Sequence, residues 1–501
     1  MSQTLCDTPC NNMQEIGTIR TQKIRDNGGY VEEGKQGSCV KAFDQSVAVI
    51  LAAGVGKRMK SSLPKVLHTL SGVPMLSYQL NLVSHFPFQK VVVVIGHQAD
   101  QVKAALASHP VQTVLQDLPR GTGDAVLKAE PLLTGHAGPV LILNGDTPLL
   151  QAATLIRLWE AHQDEKATLT LMTADPDNPV GYGRIIRLED GTLSRIVEER
   201  DATPEERAVK ETNAGTYIVD ATFLFDALHH VSPHNQQKEY YLTDIVQIAK
   251  ERGKKIACLK ANSEEALGIN SRADLANAEK ILQKRITRQW MDSGVTLIDP
   301  EQVRIEASVT IGADTVLYPG VTLSGKTTIG ERSVLHACSI KDSRIDSEVL
   351  IKDYCVIDGA IIESGVTVGP FAHLRPGTML RRGAHIGNFV EVKKSEIGEG
   401  SKANHLTYLG DARIGKRVNI GAGTITCNYD GKKKHETVIE DDVFVGSDTQ
   451  FVAPVTIGAR SLIAAGSTIT KDVEPDSLGI SRTKQAVIAG WTKKKRDAER
   501  P

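Results

Sequence analysis

Aromatic residues are scarce, at 4% of the 501-residue chain, and only three of them are tryptophan. A chain this poor in large rings does not build its cores around them. Long apolar runs are missing as well. No stretch reaches the roughly 20 residues that a membrane-crossing helix needs, and no signal-peptide core opens the chain. No membrane insertion is expected, and the protein reads as cytoplasmic. Neither sign of charge is in excess, with Lys+Arg at 59 against Asp+Glu at 60. No global field draws such a chain to nucleic acid, and none is expected as a partner. The cysteines, at 6, 10, 39, 258, 338, 355 and 427, form no C-x-x-C pair and no even framework. Reduced thiols fit that spacing better than disulfides or structural zinc.

Glycine is abundant instead, at 43 residues, which suits tight, repeated turns. Residues 1–45 are polar and without a period, and they read as a disordered extension. Order is expected from Ser46. The run VAVILAAG at 47–54 has the composition of a strand buried on both faces of a parallel sheet. VVVVIG (91–96), VQTVLQ (111–116) and VLILNGD (140–146) repeat the type, with helical patterns between them. Alternation of this kind predicts an open, doubly wound α/β sheet of Rossmann-like form over 46–270. Its ligands would gather at the carboxyl ends of the strands. Residues 271–292 predict one amphipathic linker helix.

Beyond it the period changes to six. Steps of six run from Ile311 to Leu335, from Ile362 to Val392, and from Ile439 to Ile469, each landing on an aliphatic residue or phenylalanine. This hexapeptide period predicts a parallel β-helix over 293–484, each short face turning one side chain inward. The stretch ITCNYDGKKKHET breaks the rhythm and is expected to be extruded as a loop. Residues 485–501 read as a solvated basic tail.

The stretch LAAGVGKRMKSSLPK (51–65) sits at a strand end and carries two glycines, three lysines and an arginine. A Walker loop would follow Gly56-Lys57 with Ser or Thr, but Arg58 stands there. A dinucleotide fingerprint would have its third glycine where Met59 stands. What remains is a glycine-rich turn whose amides can approach a phosphate, with Arg58 and Lys65 nearby. A tight turn with a solvated basic patch would explain the glycines equally well, though not the Pro-Lys at a fixed distance beyond them.

At this point the sequence resembles a known family. LAAGVGKRMKSSLPKVLHTLSGVPML is similar to the signature of sugar-1-phosphate nucleotidyltransferases. QDLPRGTGDA, NGDTPLL, GYGRIIR, IVEERDAT, ETNAGTY and EYYLTDIV extend the likeness. With LRPG, GNFVEVKKSEIGEGSKANHLTYLGDARIG, NIGAGTITCNYDG and VFVGSDTQFVAPVTIG, the chain resembles the bacterial bifunctional enzymes that acetylate glucosamine-1-phosphate and uridylylate the product. The resemblance runs from about Ser46 to Trp491. It implies a left-handed parallel β-helix of hexapeptide repeats behind the α/β nucleotidyltransferase domain. It also implies a homotrimer making UDP-N-acetylglucosamine for cell-envelope polymers.

For uridylyl transfer from UTP, the resemblance places Leu51, Ala52, Ala53 and Gly54 along the nucleotide, with Arg58 and Lys65 as the catalytic cations on its phosphates. Gln116, Gly121 and Thr122 fall where uracil is read. Gly183, Glu198 and Asn213 fall on the sugar, and Asn144 and Gly145 precede Asp146 in the same binding stretch. A strand-end Asp caps a helix about as often as it ligates a cation. The resemblance tips Asp146 toward Mg²⁺ and adds Asn270 as second ligand. Two departures stand out: Lys57 replaces the usual Thr, and Asn144 an aromatic residue.

Acetyl transfer from acetyl-CoA requires a deprotonated amine, hence a base, and histidine suits neutral pH. The resemblance assigns that role to His405, with Glu391 near enough to orient it. Arg375 and Lys393 correspond to residues that hold the sugar phosphate, and Tyr408 and Asn419 to sugar contacts. Ala422, Ser447, Ala465 and Arg482 correspond to acetyl-CoA contacts, joined by Asn428 and Tyr429 of the extruded loop. A covalent route through Cys427 ranks well behind, because no basic neighbour activates that thiol. The KKKH run at 432–435 reads as solvated loop charge, with attraction of CoA phosphates as a minor alternative. Two other readings compete with the bifunctional one. One is a nucleotidyltransferase whose β-helix only assembles or regulates; the other is a binding protein without catalysis.

Overall fold

The computed structural model describes residues 43–498. Expectations for 1–42 and for the last three residues, including Cys6, Cys10 and Cys39, lie outside the described residues. Within them order starts earlier than Ser46. Phe43 opens a short 3₁₀ turn, is fully buried, and packs its ring tilted or edge-on against Phe86, Phe88 and Trp159 at centroid distances of 4.6, 5.3 and 4.3 Å.

The first sheet has nine strands, seven of them in the order Ile256–Lys260, Leu169–Ala174, Thr212–Asp220, Pro139–Asn144, Val47–Ala52, Lys90–Ile95 and Gln112–Leu115. Arg184–Arg187 pairs off Thr212–Asp220, and Leu193–Val197 pairs with Arg184–Arg187. The expected parallel pairing holds for Val47–Ala52 with both neighbours. It fails at Thr212–Asp220, which runs antiparallel between Pro139–Asn144 and Leu169–Ala174. Thr212–Asp220, TNAGTYIVD, is no continuous apolar run, and burial reports no strand direction, so this reversal leaves no mark in the residue pattern. Burial is as expected: Val49, Ile50, Val92, Val93, Val94, Ile142 and Leu143 are all fully covered.

The chain first steps outward from Val47–Ala52 to Lys90–Ile95 and Gln112–Leu115, then returns to the other side at Pro139–Asn144. Val47–Ala52 is therefore the switch point, where a crevice opens at the carboxyl ends. Leu51 pairs with Asn144 there, so the two strand-end motifs emerge side by side.

Helix Arg272–Asp292 is the linker expected from the sequence. Ser271 and Asp274 close a capping box at its start. Its Gln283 joins the two halves of the chain: Nε2 donates to Ser71 Oγ and to the Ile305 carbonyl, both at 2.8 Å, and Oε1 accepts from Ile305 N at 3.1 Å. Glu279 accepts from Ser71 N at 2.7 Å. The hairpin at 69–74 is thereby fixed to the first coil behind it.

From Thr296 to Gly479 the chain winds as a parallel β-helix. Every position of the three hexad frames is buried. Each aliphatic side chain in such a column contributes roughly 1.5–3 kcal/mol by leaving water. The column Leu317, Leu335, Ile351, Val368, Ile386, Ala403, Ile420, Val445, Ile463 shows why the frames do not join. Some coils take eighteen residues, others lose one or two at a corner, and the coil from Ile420 to Val445 gains seven.

The break in rhythm starts later than expected. Ile425–Cys427 remains a strand, and its inward residue is Thr426, 1% exposed. Thr437–Ile439 is a strand as well, so only 428–436 leaves the coil. The tail carries a short helix, Trp491–Ala498, with Lys495 Nζ 5.8 Å from the Trp491 ring centroid.

Candidate active sites

The turn after Val47–Ala52 doubles back on itself. Gly56 has φ +63°, and a Cβ there would fall 2.7 Å from Lys65 Cβ, so only glycine lets the lysine stem cross. Lys65 then reaches across the strand ends. Its ammonium meets Asp146 Oδ2 and donates to Asn270 Oδ1 at 3.1 Å. The backbone holds the three in place. Ile269 N donates to the Asp146 carbonyl at 2.9 Å. Asn270 N and Ser271 N donate to Asp274 Oδ2 at 3.0 and 2.8 Å. Arg58 is exposed on the 3₁₀ turn Lys57–Met59, and its charge acts on the Tyr182 phenol at the same mouth. Lys57 is exposed beside it.

A cavity opens from this cluster, lined by Leu51, Thr122, Asn144, Asp146, Gly183, Glu198, Asn213 and Asn270, with Tyr182, Tyr217 and Thr243 among the other residues. Ala52, Ala53, Gly54, Gly121 and Gly145 lie beside lining residues in sequence but do not themselves line it. Asn144 faces Gly215, where φ is +75° and a Cβ would come within 2.1 Å of Asn144 Nδ2. The departure at 144 is thus matched by the bare backbone opposite. Glu198 accepts from Thr243 Oγ1 at 3.0 Å, and burial holds its carboxyl above the usual range. Gln116 is buried, and its amide already donates to the Gly121 carbonyl at 3.1 Å and to Asp124 Oδ2 at 2.8 Å. In this arrangement it shapes the loop carrying Gly121 and Thr122.

In the β-helix, the long strands His385–Lys393 and Lys402–Gly410 pair so that Asn388 faces His405 and Glu391 faces Tyr408. His405 Nδ1 lies 2.7 Å from Asn388 Oδ1. An amide oxygen accepts only, so Nδ1 carries a proton in this pair, and in the neutral ring the lone pair then sits on Nε2. The expected orienting residue was Glu391. It is engaged elsewhere, accepting from Arg375 Nη1 at 2.9 Å, and Asn388 takes the place beside the imidazole. Sequence reasoning missed Asn388. Its signal is the seventeen-residue coil step, visible only once the short corners are known.

The same column runs on through the acetyl-CoA candidates. Gly423 N donates to the Leu406 carbonyl at 2.9 Å, Asp448 N to Ala422 at 2.7 Å and Gly466 N to Ser447 at 2.8 Å. Arg482 Nη1 donates to the Ala465 carbonyl at 2.8 Å. His405, Ala422, Ser447, Ala465 and Arg482 therefore follow one another up a single corner. Asn419 sits a coil above Lys402. The loop at 428–436 is folded, not loose. Asp430 accepts from Lys432 N and Lys433 N at 2.7 and 2.6 Å and pairs with His435 Nε2 at 2.7 Å, while Asn428 Nδ2 donates to Asp411. Tyr429 is exposed, its hydroxyl donating to the Gly431 carbonyl at 2.7 Å. Lys434 differs from the rest of its run. It stands against Lys393, and with Arg375 it holds that ammonium below the ordinary lysine value. Three cations crowded together in this way suit a dianion.

Comparison with known proteins agrees with this two-domain architecture. The family of MobA-like NTP transferase domains matches residues 48–211. The bacterial transferase hexapeptide family, six repeats, matches residues 436–471. The bifunctional protein GlmU of Halalkalibacterium halodurans is 49% identical over 450 residues, covering 89% of this chain and 98% of the relative. That of Trichlorobacter lovleyi is 51% identical, covering 90% and 99%, and that of Geobacter metallireducens 50% identical with the same coverage. The chain belongs to the GlmU family.

A nucleotidyltransferase of the GlmU family implies a divalent cation, and the residues present fit one. Asp146 and Asn270 converge their oxygens on a single positive charge, the Lys65 ammonium. Among the described residues no group of three His, Cys, Asp or Glu could enclose an ion alone. Two hard oxygens with substrate phosphates and water completing the shell is the arrangement Mg²⁺ accepts. No helix among the described residues is long and apolar enough to cross a membrane.

Proposed function

We propose that this GlmU-family protein makes UDP-N-acetylglucosamine in two steps on one chain. Residues 293–484 transfer acetyl from acetyl-CoA to glucosamine-1-phosphate. Residues 46–270 then transfer uridylyl from UTP to N-acetylglucosamine-1-phosphate, and 271–292 join the two. The observation that carries the reading is the corner column, in which a histidine with a free Nε2 stands at one end of the acetyl-CoA candidates. A β-helix serving only as a scaffold has no use for it.

In the acetyl half, Arg375, Lys393 and Lys434 bind the sugar phosphate and hold the amine near His405. Nε2 takes the ammonium proton, and the freed amine attacks the thioester carbonyl. The adduct nitrogen gives up its second proton to solvent, and the C–S bond breaks as the CoA thiolate leaves with a proton from the imidazolium or solvent. General-base assistance of this kind is worth about 10²–10⁴-fold. In the uridylyl half, a sugar-phosphate oxygen attacks the α-phosphorus of UTP and pyrophosphate leaves in line. Lys65 and Arg58 neutralise charge that builds on the phosphoryl oxygens. Asp146 and Asn270 would hold Mg²⁺, which when bound screens the phosphates from one another.

We further propose a homotrimer, acting in the cytoplasm. Tyr354, Phe371 and Phe389 stack at 5.1 and 5.2 Å along one corner, and Leu406 continues the row. All four are exposed large apolar side chains. A continuous apolar ridge of this sort marks an interface. It ends at His405, so a second copy seated on it would supply the other wall of the acetyl site.

One experiment tests the whole: glucosamine-1-phosphate, acetyl-CoA, UTP and Mg²⁺ are supplied, and free thiol and pyrophosphate are followed together. Both should appear, thiol first. Pyrophosphate only when pre-acetylated sugar is given would leave the nucleotidyltransferase reading alone.

A further inference from the structure

Tyr217 stands on Thr212–Asp220, the one antiparallel strand at the centre of the sheet. Its side chain is 1% exposed, and the hydroxyl has no hydrogen-bond partner in the protein. A buried hydroxyl left unpaired costs about 1–3 kcal/mol, and folded proteins rarely keep one without use. Other buried polar atoms among the described residues lack partners too, on His68, Gln79, Gln98, Trp159, Thr173, Asn404 and Thr437. Of the whole set, Tyr217 alone lines the cavity beside Asp146 and Asn270.

The surrounding wall shows what kind of group is missing. Thr243 Oγ1 donates its proton to Glu198 Oε1 at 3.0 Å. Asn213 Oδ1 accepts from Gly215 N at 3.0 Å. Glu198 lies beside the phenol without bonding to it, and Asn213 is near enough for its side-chain amide to act as a donor toward the phenol oxygen, short of a well-formed hydrogen bond and offering the phenolic proton no acceptor. The strand is irregular between Asn213 and Tyr217, where its register against Leu169–Ala174 shifts. Such irregularities re-aim side chains next to active sites. What this wall presents is a phenolic proton with no acceptor. The phosphates have their own cations at Lys65 and Arg58, which leaves the sugar as the source of that acceptor.

We propose that the Tyr217 hydroxyl is a specificity-determining hydrogen-bond donor to an oxygen substituent of the bound sugar. The inference rests on the reading of this cavity as the sugar-1-phosphate site. Sites built to pair a substrate oxygen discriminate sharply, because a substrate lacking that oxygen leaves the buried partner unpaired again. Tyr217 thereby helps select which sugar phosphate is uridylylated.

The test is Tyr217→Phe, which removes one oxygen and keeps the ring. With N-acetylglucosamine-1-phosphate, kcat/KM for pyrophosphate release is expected to fall about 10–100-fold. Acetyl transfer should stay as in wild type, and the thermal midpoint should hold or rise because no internal bond is lost. The wild-type and variant enzymes are then compared on glucosamine-1-phosphate and on the 3-, 4- and 6-deoxy analogues. The ratio between them should collapse to near one for whichever analogue lacks the partner oxygen. Activity of the variant within twofold of wild type overturns the proposal, as does an equal loss on every analogue or a lowered thermal midpoint. If wild type itself releases no pyrophosphate from UTP and N-acetylglucosamine-1-phosphate, the underlying uridylyltransferase reading has failed and this inference falls with it.

Discussion

Asn388 and His405 stand at the same point of successive coils, and a 2.7 Å hydrogen bond joins the amide oxygen to Nδ1 of the imidazole. The coil step creates this pair, and the pair fixes the tautomer. Asn388→Ala should lower kcat for acetyl transfer about 10–100-fold while uridylyl transfer is untouched, because the ring loses its orientation but not its nitrogen. Asn388→Asp is the sharper variant. A carboxylate beside Nδ1 favours the imidazolium, so the acidic limb of the pH–rate profile should move to higher pH. If the limb does not move, Asn388 does not orient the base.

Lys65 between Asp146 and Asn270 makes a second prediction. A chelator should abolish pyrophosphate release and leave thiol release intact, since in the proposed acetyl half the sugar phosphate is met by the cations Arg375, Lys393 and Lys434 and not by a metal. Lys65→Ala should cost uridylyl transfer about 10²–10³-fold, the usual scale for one group that meets charge in the transition state. Thiol release surviving at full rate in both experiments separates the halves. Its loss in either would make them interdependent.

Much of this was legible beforehand, and the illegible parts share a cause. The hexads could be read because the inward position holds an aliphatic side chain almost everywhere. Where it holds Thr426 the strand Ile425–Cys427 disappeared from view, although the coil continues through it. The strand-end motifs were readable from burial, but the reversed direction of Thr212–Asp220 was not, since a strand covered on both faces looks alike either way. Pairings across coils, such as Asn388 with His405 and Lys393 with Lys434, depend on corner lengths that no local pattern encodes. Phe43 was hidden for a different reason: a single apolar residue in a polar stretch carries no period.

The row Tyr354, Phe371, Phe389 and Leu406 predicts coupling between assembly and one activity only. A Phe371→Ser, Phe389→Ser double variant should leave each coil closed, because both rings point outward. It should weaken self-association in sedimentation or light scattering, and acetyl transfer should fall at least about tenfold at dilute protein. Uridylyl transfer, in a cavity enclosed by one chain, should continue. Acetyl activity unaffected in a dissociated variant would put the whole acetyl site on a single copy.

Acid stability gives the last prediction, from one buried and one half-buried group of opposite effect. His162 is 4% exposed, with Nδ1 2.8 Å from Thr170 Oγ1, and burial lowers its pKa to about 4. Asp220 stands 3.8 Å from Nε2 and does not offset the burial. Between about pH 6.5 and 4 the unfolded chain binds a proton here that the folded chain refuses, so stability falls as pH falls through that window. Asp244 acts the other way. Burial, with Asp201 adding repulsion, raises its pKa to about 6. Below that the folded chain holds the extra proton, and stability rises as pH falls toward 4. The two slopes oppose each other, so the wild-type curve alone does not reveal either. His162→Gln removes one of them. The wild-type free energy of unfolding minus that of the variant should therefore shrink on acidification from pH 7 to 4.5, by roughly 2 kcal/mol. A difference that stays flat over that range would mean His162 is already charged in the folded protein, with Asp220 holding the proton on it.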